Sequence, residues 1–323
     1  MINKELIQKL KEGKNLLAFS AGVDSSALFF ILLEENINFD IAIIDYGLRE
    51  EAKDEISYAK ELAKKYNKKI YTTQAPKFNS NFEANAREFR YNFFKEIIKK
   101  NSYTNLLTAH QLNDKLEWLL MRLSKGAGLS TLSGIQEFEQ REDYNLIRPL
   151  LNYTKNELLE FLNINKHQYF IDKSNFNKKY ERNKFRPIVD NLLQISDKKG
   201  FVTSFEILKE ESNTLKNGIK LKFKKEKLRV ISIKSTLYIS LAVRFYLKEL
   251  GYLISYKELQ ELLKCNSIVA GRTWAVEVVD NTIYIAPYIK TTLTKNKKEQ
   301  YRISKIPPKI RGYLFTKNIN LPT

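Results

Sequence analysis

Short apolar runs alternate with longer amphipathic segments through the first half of the chain. Runs of strand length and composition occur at 15–19, 40–44, 69–74 and 105–109. Helical periodicity fills the segments between them, at 25–36, 50–66 and 82–100. A strand–helix repeat of about 30 residues predicts a parallel sheet covered by helices on both faces. We therefore expect an α/β fold with a doubly wound parallel sheet.

The pattern is different in the second half. Further helices are expected at 188–217, 234–250 and 255–264. Alternation around Asp280-Asn281 predicts a hairpin near 273–286, and the tail at 290–323 is basic and loop-like. We expect the α/β domain to span 1–200 and to be followed by a smaller, mainly helical basic domain at 201–323.

Composition and charge narrow the class of protein. Hydrophobic residues make up 43% of the chain, and no apolar run approaches the roughly 20 residues of a membrane span. A lone cysteine, Cys265, permits no internal disulfide, and with two histidines it is too little for a typical zinc site. These features predict a cytoplasmic protein with no membrane partner. The sequence leaves the oligomeric state open between monomer and homodimer.

The basic residues are unevenly distributed. The formal net charge is +18, and residues 1–160 contain equal numbers of acidic and basic side chains, so the whole excess lies in residues 161–323. The stretch from Lys220 to Arg229 is a dense basic patch. Such asymmetry predicts a polyanionic partner for the second half. Nucleic acid is the interpretation we favour, and a lysine-rich drift of the composition is the alternative.

The most informative motif follows the first predicted strand, in the order Ser20-Ala21-Gly22-Val23-Asp24-Ser25-Ser26. A small-residue loop between a strand and a helix start presents backbone N–H groups and the positive end of a helix dipole, which together bind phosphate. Asp24 adds a carboxylate suited to Mg²⁺ on a polyphosphate. The alternative is an ordinary capped turn. Neither the P-loop lysine nor the three-glycine dinucleotide spacing is present.

Polar residues at other strand ends extend this site. Ser20, Asp45 and His110 each stand at the end of a predicted strand, so we expect them to meet in one crevice. Asp114 and Glu117 lie three residues apart at a helix start and share a face. Neighbouring carboxylates repel unless a cation lies between them, which predicts Mg²⁺ or an ammonium group. A solvated acidic first turn is the alternative.

Arginines at two further places suit a polyanionic ligand. Arg87 and Arg90 lie on one face of the predicted helix at 82–100, where they can clamp a phosphate or a base. Arg182 and Arg186 lie beside Tyr180, and this combination can grip an RNA backbone and stack on a base. The alternative for the second group is a solvated basic helix end.

Taken in order, these motifs resemble one family. The loop at 20–26 is similar to the Ser-Gly-Gly-x-Asp-Ser loop of the N-type ATP pyrophosphatases, with Ala21 in place of the first glycine. The series beyond it resembles the tRNA(Ile)-lysidine synthetases at Ile44–Arg49, Glu83–Tyr91, Ala109–Trp118, Lys125–Ile135, Arg148–Leu150 and Asp172–Arg186. Asn113 stands where the family has an aspartate. The match covers roughly residues 15–187.

The resemblance implies a PP-loop ATPase domain with a Rossmann-like sheet, and a two-step ligation. ATP adenylates the C2 oxygen of the wobble cytidine of an isoleucine tRNA with a CAU anticodon, and pyrophosphate leaves. The ε-amine of free L-lysine then attacks C2 and AMP leaves, which gives lysidine. The implied cofactors are ATP and Mg²⁺. A tRNA thiolase of the same superfamily, or a non-catalytic RNA-binding protein with a degenerate nucleotide loop, is the alternative.

The resemblance also implies residue roles. Residues 20–26, Asp45 and His110 are expected to bind ATP, with Asp24 on Mg²⁺. Asp114 and Glu117 are expected to bind the lysine substrate. The expected catalytic residues are Asp24, Arg90, Asp114, Glu117 and Arg182. The expected tRNA contacts are Arg87, Lys125, Arg182, Asn183 and Arg186.

Overall fold

The computed structural model describes residues 2–47, 52–78, 80–171 and 181–321. The chain forms two compact units, Met1–Met121 with Ile135–Val202, and Arg122–Gly134 with Thr203–Thr323. The segment 122–134 belongs to the second unit, and so does Lys125 within it. The expected boundary at residue 200 would have put this segment in the first domain. Within the described ranges, no helix is both long enough and apolar enough to traverse a bilayer.

The strands are β1 (Asn15–Ala18), β2 (Phe39–Asp45), β3 (Ile70–Gln74), β4 (Asn105–Leu107), β5 (Phe138–Gln140), β6 (Asn145–Ile147), β7 (Ile219–Lys225), β8 (Leu228–Ile233), β9 (Ser267–Ala270), β10 (Trp274–Val279) and β11 (Thr282–Pro287). The helices are α1 (Lys4–Glu12), α2 (Val23–Glu34), α3 (Ala52–Lys65), α4 (Phe82–Asn101), α5 (Leu112–Leu123), α6 (Leu129–Leu132), α7 (Lys155–Ile164), α8 (Glu181–Ile195), α9 (Lys198–Leu215), α10 (Ile239–Glu249), α11 (Tyr256–Cys265), α12 (Lys295–Ile303) and α13 (Pro308–Thr316). The strands and helices predicted for the first half are confirmed.

The sheet of the first unit has the order β3-β2-β1-β4-β6-β5, and its strands are parallel except for β5. Alternate residues of β1 face opposite sides. Leu17 packs in the cluster that holds Phe29 of α2, whereas Leu16 packs with Phe94 of α4. The sheet is therefore doubly wound, as predicted. Its strand order reverses between β1 and β4, which is where ligands bind in such folds.

The second unit contains a sheet of which the sequence predicted only one hairpin. Its order is β7-β8-β11-β10-β9, with every neighbouring pair antiparallel. The hairpin predicted near 273–286 is confirmed as β10 and β11, which turn at Asp280-Asn281. The expectation of a mainly helical domain missed the other strands, because the lysines that alternate with apolar residues in β7 resemble a plain basic patch.

Helices cover both faces of this second sheet. Side chains of α10 and α11 pack with Ile231 and Val276 on one face, whereas α12 and α13 pack with Val230 and Ala275 on the other. The expectation of a loop-like tail was wrong, since α12 begins at a Thr294 cap and α13 carries proline at its first position. The helix predicted at 188–217 is two helices, because the side chain of Asp197 accepts a hydrogen bond from the Lys199 N–H and starts α9 anew.

Glu277 is a buried carboxylate that ties β10 to α13. It is 5% exposed, and its carboxylate accepts hydrogen bonds from the Ser267 hydroxyl at 2.8 Å and from the Lys309 N–H at 2.6 Å. The Lys309 ammonium in turn donates to the Ser267 hydroxyl at 2.7 Å. Glu277 therefore satisfies an N–H group in the first turn of α13 that the helix itself leaves unpaired.

We expect Glu277→Ala to lower the free energy of unfolding by about 1–3 kcal/mol, because it leaves a half-buried N–H and a half-buried hydroxyl without their acceptor. Urea denaturation at pH 7 measures the change. Glu261→Ala, on the exposed side of α11, is the matched control and should shift the free energy by no more than about 0.5 kcal/mol. Equal effects of the two variants would contradict this role of Glu277.

Candidate active site

The loop between β1 and α2 is held by its own serines. The Ser20 N–H donates to the Ser25 hydroxyl at 3.2 Å, and the Ser25 hydroxyl donates to the Gly22 carbonyl at 3.2 Å. Gly22 is the N-cap of α2 and offers no side-chain cap to the first helical N–H groups. Backbone donors at a helix start, with no side-chain oxygen from the cap residue, form the arrangement that binds an anion.

Ala21 adopts the left-handed conformation that glycine favours. Its φ is +56°, and its carbonyl accepts a hydrogen bond from the Phe170 N–H at 2.9 Å. This bond and the bridge between Gly22 and Phe170 hold the loop in place. Alanine is disfavoured in this conformation by roughly 1–2 kcal/mol. The loop therefore keeps the left-handed conformation with alanine in place of glycine, and the bonds to Phe170 offset this cost.

Asp24 and Ser26 each have a buried oxygen without a partner. Oδ1 of Asp24 and Oγ of Ser26 make no hydrogen bond to the described residues. The pKa of Asp24 is raised to about 7. Burial is the largest cause, and the negative charge of Asp114 is the second. Such unsatisfied buried atoms need an explanation, and a cation with phosphate oxygens supplies one. The chemistry of Asp24 thus fits Mg²⁺.

The described residues contain no group of three or more acidic, histidine or cysteine side chains placed to hold a metal ion by themselves. Any cation held by Asp24 would therefore take most of its ligands from phosphate and water, as Mg²⁺ commonly does at polyphosphate sites.

The strand ends lie at one edge of the sheet. Asp45 ends β2, Ser20 follows β1 and His110 follows β4, and these three strands are parallel neighbours. The Gly47 N–H donates to the Asp45 carboxylate at 2.7 Å. Nδ1 of His110 lies 3.0 Å from the Thr108 hydroxyl. The pKa of His110 is lowered to about 3, mainly by burial and secondly by the guanidinium of Arg148. The ring is therefore neutral at physiological pH.

Asp114 and Glu117 share one arginine. Arg182 donates from Nη2 to Asp114 Oδ1 and from Nε to Glu117 Oε2. Arg186 Nε donates to Glu117 Oε1 at 3.3 Å, and the Gln111 N–H donates to Asp114 Oδ2 at 2.8 Å. Glu117 is only 2% exposed, so the alternative of a solvated acidic turn is wrong for this residue. A cation does lie between the carboxylates, and here it is a guanidinium from α8.

Asn113 joins three helices. Its amide donates to the Asp190 carboxylate of α8 at 2.9 Å, and its oxygen accepts from the Lys155 N–H of α7 at 3.1 Å. Its own N–H donates to the Gln111 side chain at 2.6 Å. The asparagine found where the family has an aspartate is therefore a positioning residue. Sequence reasoning missed Asp190 and Gln111, although a buried amide requires such partners.

The remaining predicted site residues lie in several places. Arg90 and Arg87 are exposed on α4, where Arg90 Nε donates to the Tyr46 hydroxyl at 2.9 Å and Arg87 lies over the Tyr91 ring. Asn183 is half-buried on α8, and Lys125 is exposed in the second unit. Leu48-Arg49 and residues 172–180, which carry parts of the quoted motifs, lie outside the described residues.

Comparison with known proteins identifies the family. The model of the PP-loop domain family matches residues 2–193. The tRNA(Ile)-lysidine synthase of Wolinella succinogenes is 44% identical over 315 residues, which are 97% of this chain and 96% of that protein. The chain belongs to the tRNA(Ile)-lysidine synthase family. Its motifs predicted this membership, which is now confirmed.

Other members of the family are similarly close. The tRNA(Ile)-lysidine synthase of Campylobacter jejuni strain RM1221 is 42% identical over 99% of this chain and 98% of that protein. The one from Helicobacter pylori is 39% identical over 99% of this chain and 95% of that protein. Such coverage extends the similarity through the second unit, well beyond the motifs that first indicated the family.

A solved structure shares the fold. A U34-tRNA thiolase from Methanococcus maripaludis, solved with its [4Fe-4S] cluster, has a TM-score of 0.52 and 18% identity, over 64% of this chain and 79% of that one. At this identity the similarity shows the fold alone. Iron–sulfur clusters are held by several cysteine thiolates, whereas this sequence has one cysteine, so the thiolase alternative is not favoured.

Proposed function

We propose that this protein ligates free L-lysine to C2 of the wobble cytidine of an isoleucine tRNA with a CAU anticodon, and so forms lysidine. ATP is consumed to AMP and pyrophosphate through an adenylated cytidine. The observation that carries the proposal is the similarity to tRNA(Ile)-lysidine synthases over nearly the full chain. ATP, lysine and tRNA are all present in the cytoplasm, where we propose that the protein acts.

The loop at 20–26 binds the phosphates of ATP in this proposal. The N–H groups at the start of α2 and the loop hydroxyls lie at the switch point of the sheet and stabilise the charge of the leaving pyrophosphate. When bound, Mg²⁺ neutralises the polyphosphate charge. Asp24 would hold this ion, because its Oδ1 has no hydrogen-bond partner among the residues that the structure describes. Asp45 and neutral His110 line the same sheet edge and complete the ATP site.

The carboxylate pair binds the side chain of the lysine substrate. An ε-ammonium with a pKa near 10.4 must lose a proton before it can attack C2. Asp114 is oriented by the Gln111 N–H and is 13% exposed, so it can reach the substrate and accept that proton. Arg90 and Arg182 neutralise charge at the α-phosphate. Arg87, Lys125, Asn183 and Arg186 contact the tRNA in this account.

The second unit is suited to the body of the tRNA. A cavity of about 650 Å³ lies among β7, β8, β11 and α12, a volume within the usual range for small ligands. Lys222, Lys297 and Lys305 line it together with Tyr284 and Tyr301. Lysines around aromatic rings suit an RNA backbone and an unstacked base. This cavity belongs to the second unit, whereas the loop and the carboxylates belong to the first.

We expect the double variant Lys222→Gln/Lys305→Gln to weaken tRNA binding and to reduce the slope of log affinity against log salt by about two, if each lysine contacts one phosphate. Filter binding between 50 and 200 mM salt measures the slope. The control is Lys60→Gln/Lys64→Gln on the exposed side of α3, which removes the same charge. A control slope that falls equally would show a general charge effect and would contradict a tRNA contact at the cavity.

The function is tested by incubating the protein with ATP, radiolabelled lysine and an isoleucine tRNA transcript that carries a CAU anticodon. We expect label to be retained on this tRNA and absent from a transcript with a changed wobble base. The absence of label from both transcripts, with tRNA binding intact, would favour a non-catalytic RNA-binding protein.

A further inference from the structure

Arg182 is hydrogen-bonded to the two carboxylates that the proposed function assigns to binding of the lysine substrate. Its guanidinium donates to Oδ1 of Asp114 and to Oε2 of Glu117. A guanidinium and an ammonium are both cations that donate N–H bonds to carboxylate oxygens. The same acceptor atoms therefore serve the arginine of the protein and the amine of the substrate.

The two carboxylates already have cationic partners. Asp114 and Glu117 pair with the guanidiniums of Arg182 and Arg186, and Asp24 and Lys155 add one acidic and one basic group nearby. Asp114 is 13% exposed and Glu117 is 2% exposed, so water screens the cluster poorly. A third cation would leave an uncompensated charge in buried surroundings, which is strongly unfavourable. Substrate ammonium can therefore bind there only if a guanidinium leaves.

Arg182 is the arginine placed to leave. Its side chain is 38% exposed, against 24% for Arg186, and it is the second residue of α8, whereas Arg186 lies one turn further in. When Arg182 departs, Glu117 keeps its bond with Arg186 at 3.3 Å and Asp114 is open to a new cation. The buried carboxylate is therefore never left without a positive partner.

A second anionic site lies close to Arg182. Its guanidinium interacts electrostatically with Asp24, the carboxylate of the phosphate loop, as well as with Asp114 and Glu117. The charge of Arg182 thus acts on both predicted subsites. Phosphates bound at the N-terminus of α2 add several negative charges on one side of it, and these charges compete with the carboxylates for the guanidinium.

We propose that Arg182 is an internal competitor of the lysine substrate, held by Asp114 and Glu117 until ATP phosphates on the Gly22 loop attract it away. This inference rests on the proposed function, and it adds an order of binding to it. ATP opens the lysine site, so lysine binds weakly until the nucleotide that activates the tRNA is present. The guanidinium that blocks the lysine site in the absence of ATP then neutralises phosphate charge on the bound ATP.

The exchange has a thermodynamic signature. If Arg182 fills the site most of the time, the apparent affinity for lysine is the intrinsic affinity multiplied by the fraction of molecules in which the site is open. ATP must then raise the affinity for lysine, and lysine must raise the affinity for ATP by the same factor, typically 5- to 150-fold. Removal of the competing cation should strengthen lysine binding and abolish the effect of ATP on it.

The test is calorimetric titration of the full chain with lysine, in the absence of tRNA, with and without Mg²⁺ and a non-hydrolysable ATP analogue. For the unchanged protein we expect the analogue to tighten lysine binding by about tenfold or more. For Arg182→Gln we expect tight lysine binding without the analogue and no further gain with it. Lys184→Gln removes the same charge from an exposed site on α8 and should behave like the unchanged protein.

Two results would overturn the inference. One is that Arg182→Gln binds lysine no more tightly than the unchanged protein does, which is expected if Arg182 only supports the fold or binds tRNA. The other is that the analogue leaves the lysine affinity of the unchanged protein untouched. If Arg182→Gln does not fold, Arg182→Lys replaces it, and its shorter cation should give a lysine affinity between those of the other two proteins.

The inference and the proposed function can fail separately. If the protein incorporates radiolabelled lysine into tRNA but Arg182→Gln shows no gain in lysine affinity, only the competition is wrong. If lysine neither binds under any condition nor enters tRNA, the proposed function falls and the competition falls with it.

Discussion

Asp24→Asn is expected to lower tRNA-dependent pyrophosphate release by about a thousandfold and, in the same protein, to stabilise the ligand-free fold above pH 7. Activity falls because the uncharged amide that replaces the carboxylate is a much weaker ligand for the magnesium ion that is bound to the phosphates. Asp54→Asn, at the exposed first turn of α3, is the control and should keep full activity. Full activity of Asp24→Asn would contradict the assignment of the magnesium site.

The stability effect follows from the raised pKa of Asp24, which is about 7 because of burial and the nearby charge of Asp114. The folded protein holds this proton more tightly than the unfolded chain, whose aspartates have pKa values near 3.9. The contribution to stability is therefore complete below about pH 4 and is lost as the pH rises through 7. Asparagine carries no charge at any pH, so the variant avoids a loss of about 2–4 kcal/mol at pH 8.

Urea unfolding of both proteins between pH 5 and 8, without nucleotide, measures this difference. The variant should gain stability relative to the unchanged protein as the pH rises. A pH-independent difference would mean that Asp24 ionises normally in the folded state. The affinity for magnesium and ATP should rise through pH 7 in the unchanged protein, because the ion binds the ionised carboxylate, and should be flat in Asp24→Asn.

Asp114→Asn is expected to separate the two chemical steps. The amide oxygen can still accept the Gln111 N–H, so the start of α5 should survive, but the amide can neither pair with an ammonium nor take its proton. Lysine transfer should fall by about 10²- to 10⁴-fold, whereas pyrophosphate release in the presence of tRNA should change only a few fold. Adenylated tRNA should then accumulate, and mass spectrometry of the digested tRNA detects it.

The comparison for this variant is again Asp54→Asn, which should carry out both steps. Equal losses of adenylation and transfer in Asp114→Asn would place Asp114 in the ATP site or in the fold. Loss of transfer alone supports its assignment to the lysine substrate.

Local sequence patterns predicted the first unit well. Strands β1, β2 and β4 are short apolar runs, and the loop at 20–26 combines small residues with a helix start, so these features can be found without tertiary information. The short strand β6 was not predicted. Asp114 and Glu117 were found because their spacing on one helix implies a shared face.

Contacts between distant residues could not be predicted in this way. Arg182 lies 68 residues after Asp114, and no local pattern shows that α8 brings it to α5. The sequence therefore predicted that a cation lies between the carboxylates but not that the protein itself supplies one. The hydrogen bond between Asn113 and Asp190, which is 77 residues away, could not be predicted for the same reason.

The other strands and the tail helices of the second unit were missed for a different reason, because their signals were present but ambiguous. The alternation of lysine with apolar residues in β7 is typical of a strand with one solvated face, yet the charge dominated the interpretation. Thr294 and Pro308 are ordinary signals of helix starts within a tail that looked like a loop.

The most direct test of the central claim is a crystal structure of the full chain with a non-hydrolysable ATP analogue, Mg²⁺ and lysine. We expect the phosphates at the N–H groups that follow Gly22, the metal ion on Asp24, and the lysine ammonium within hydrogen-bond distance of Asp114, with Arg182 turned towards the phosphates. A nucleotide bound elsewhere, with the loop empty and lysine absent from the carboxylate pair, would contradict the account.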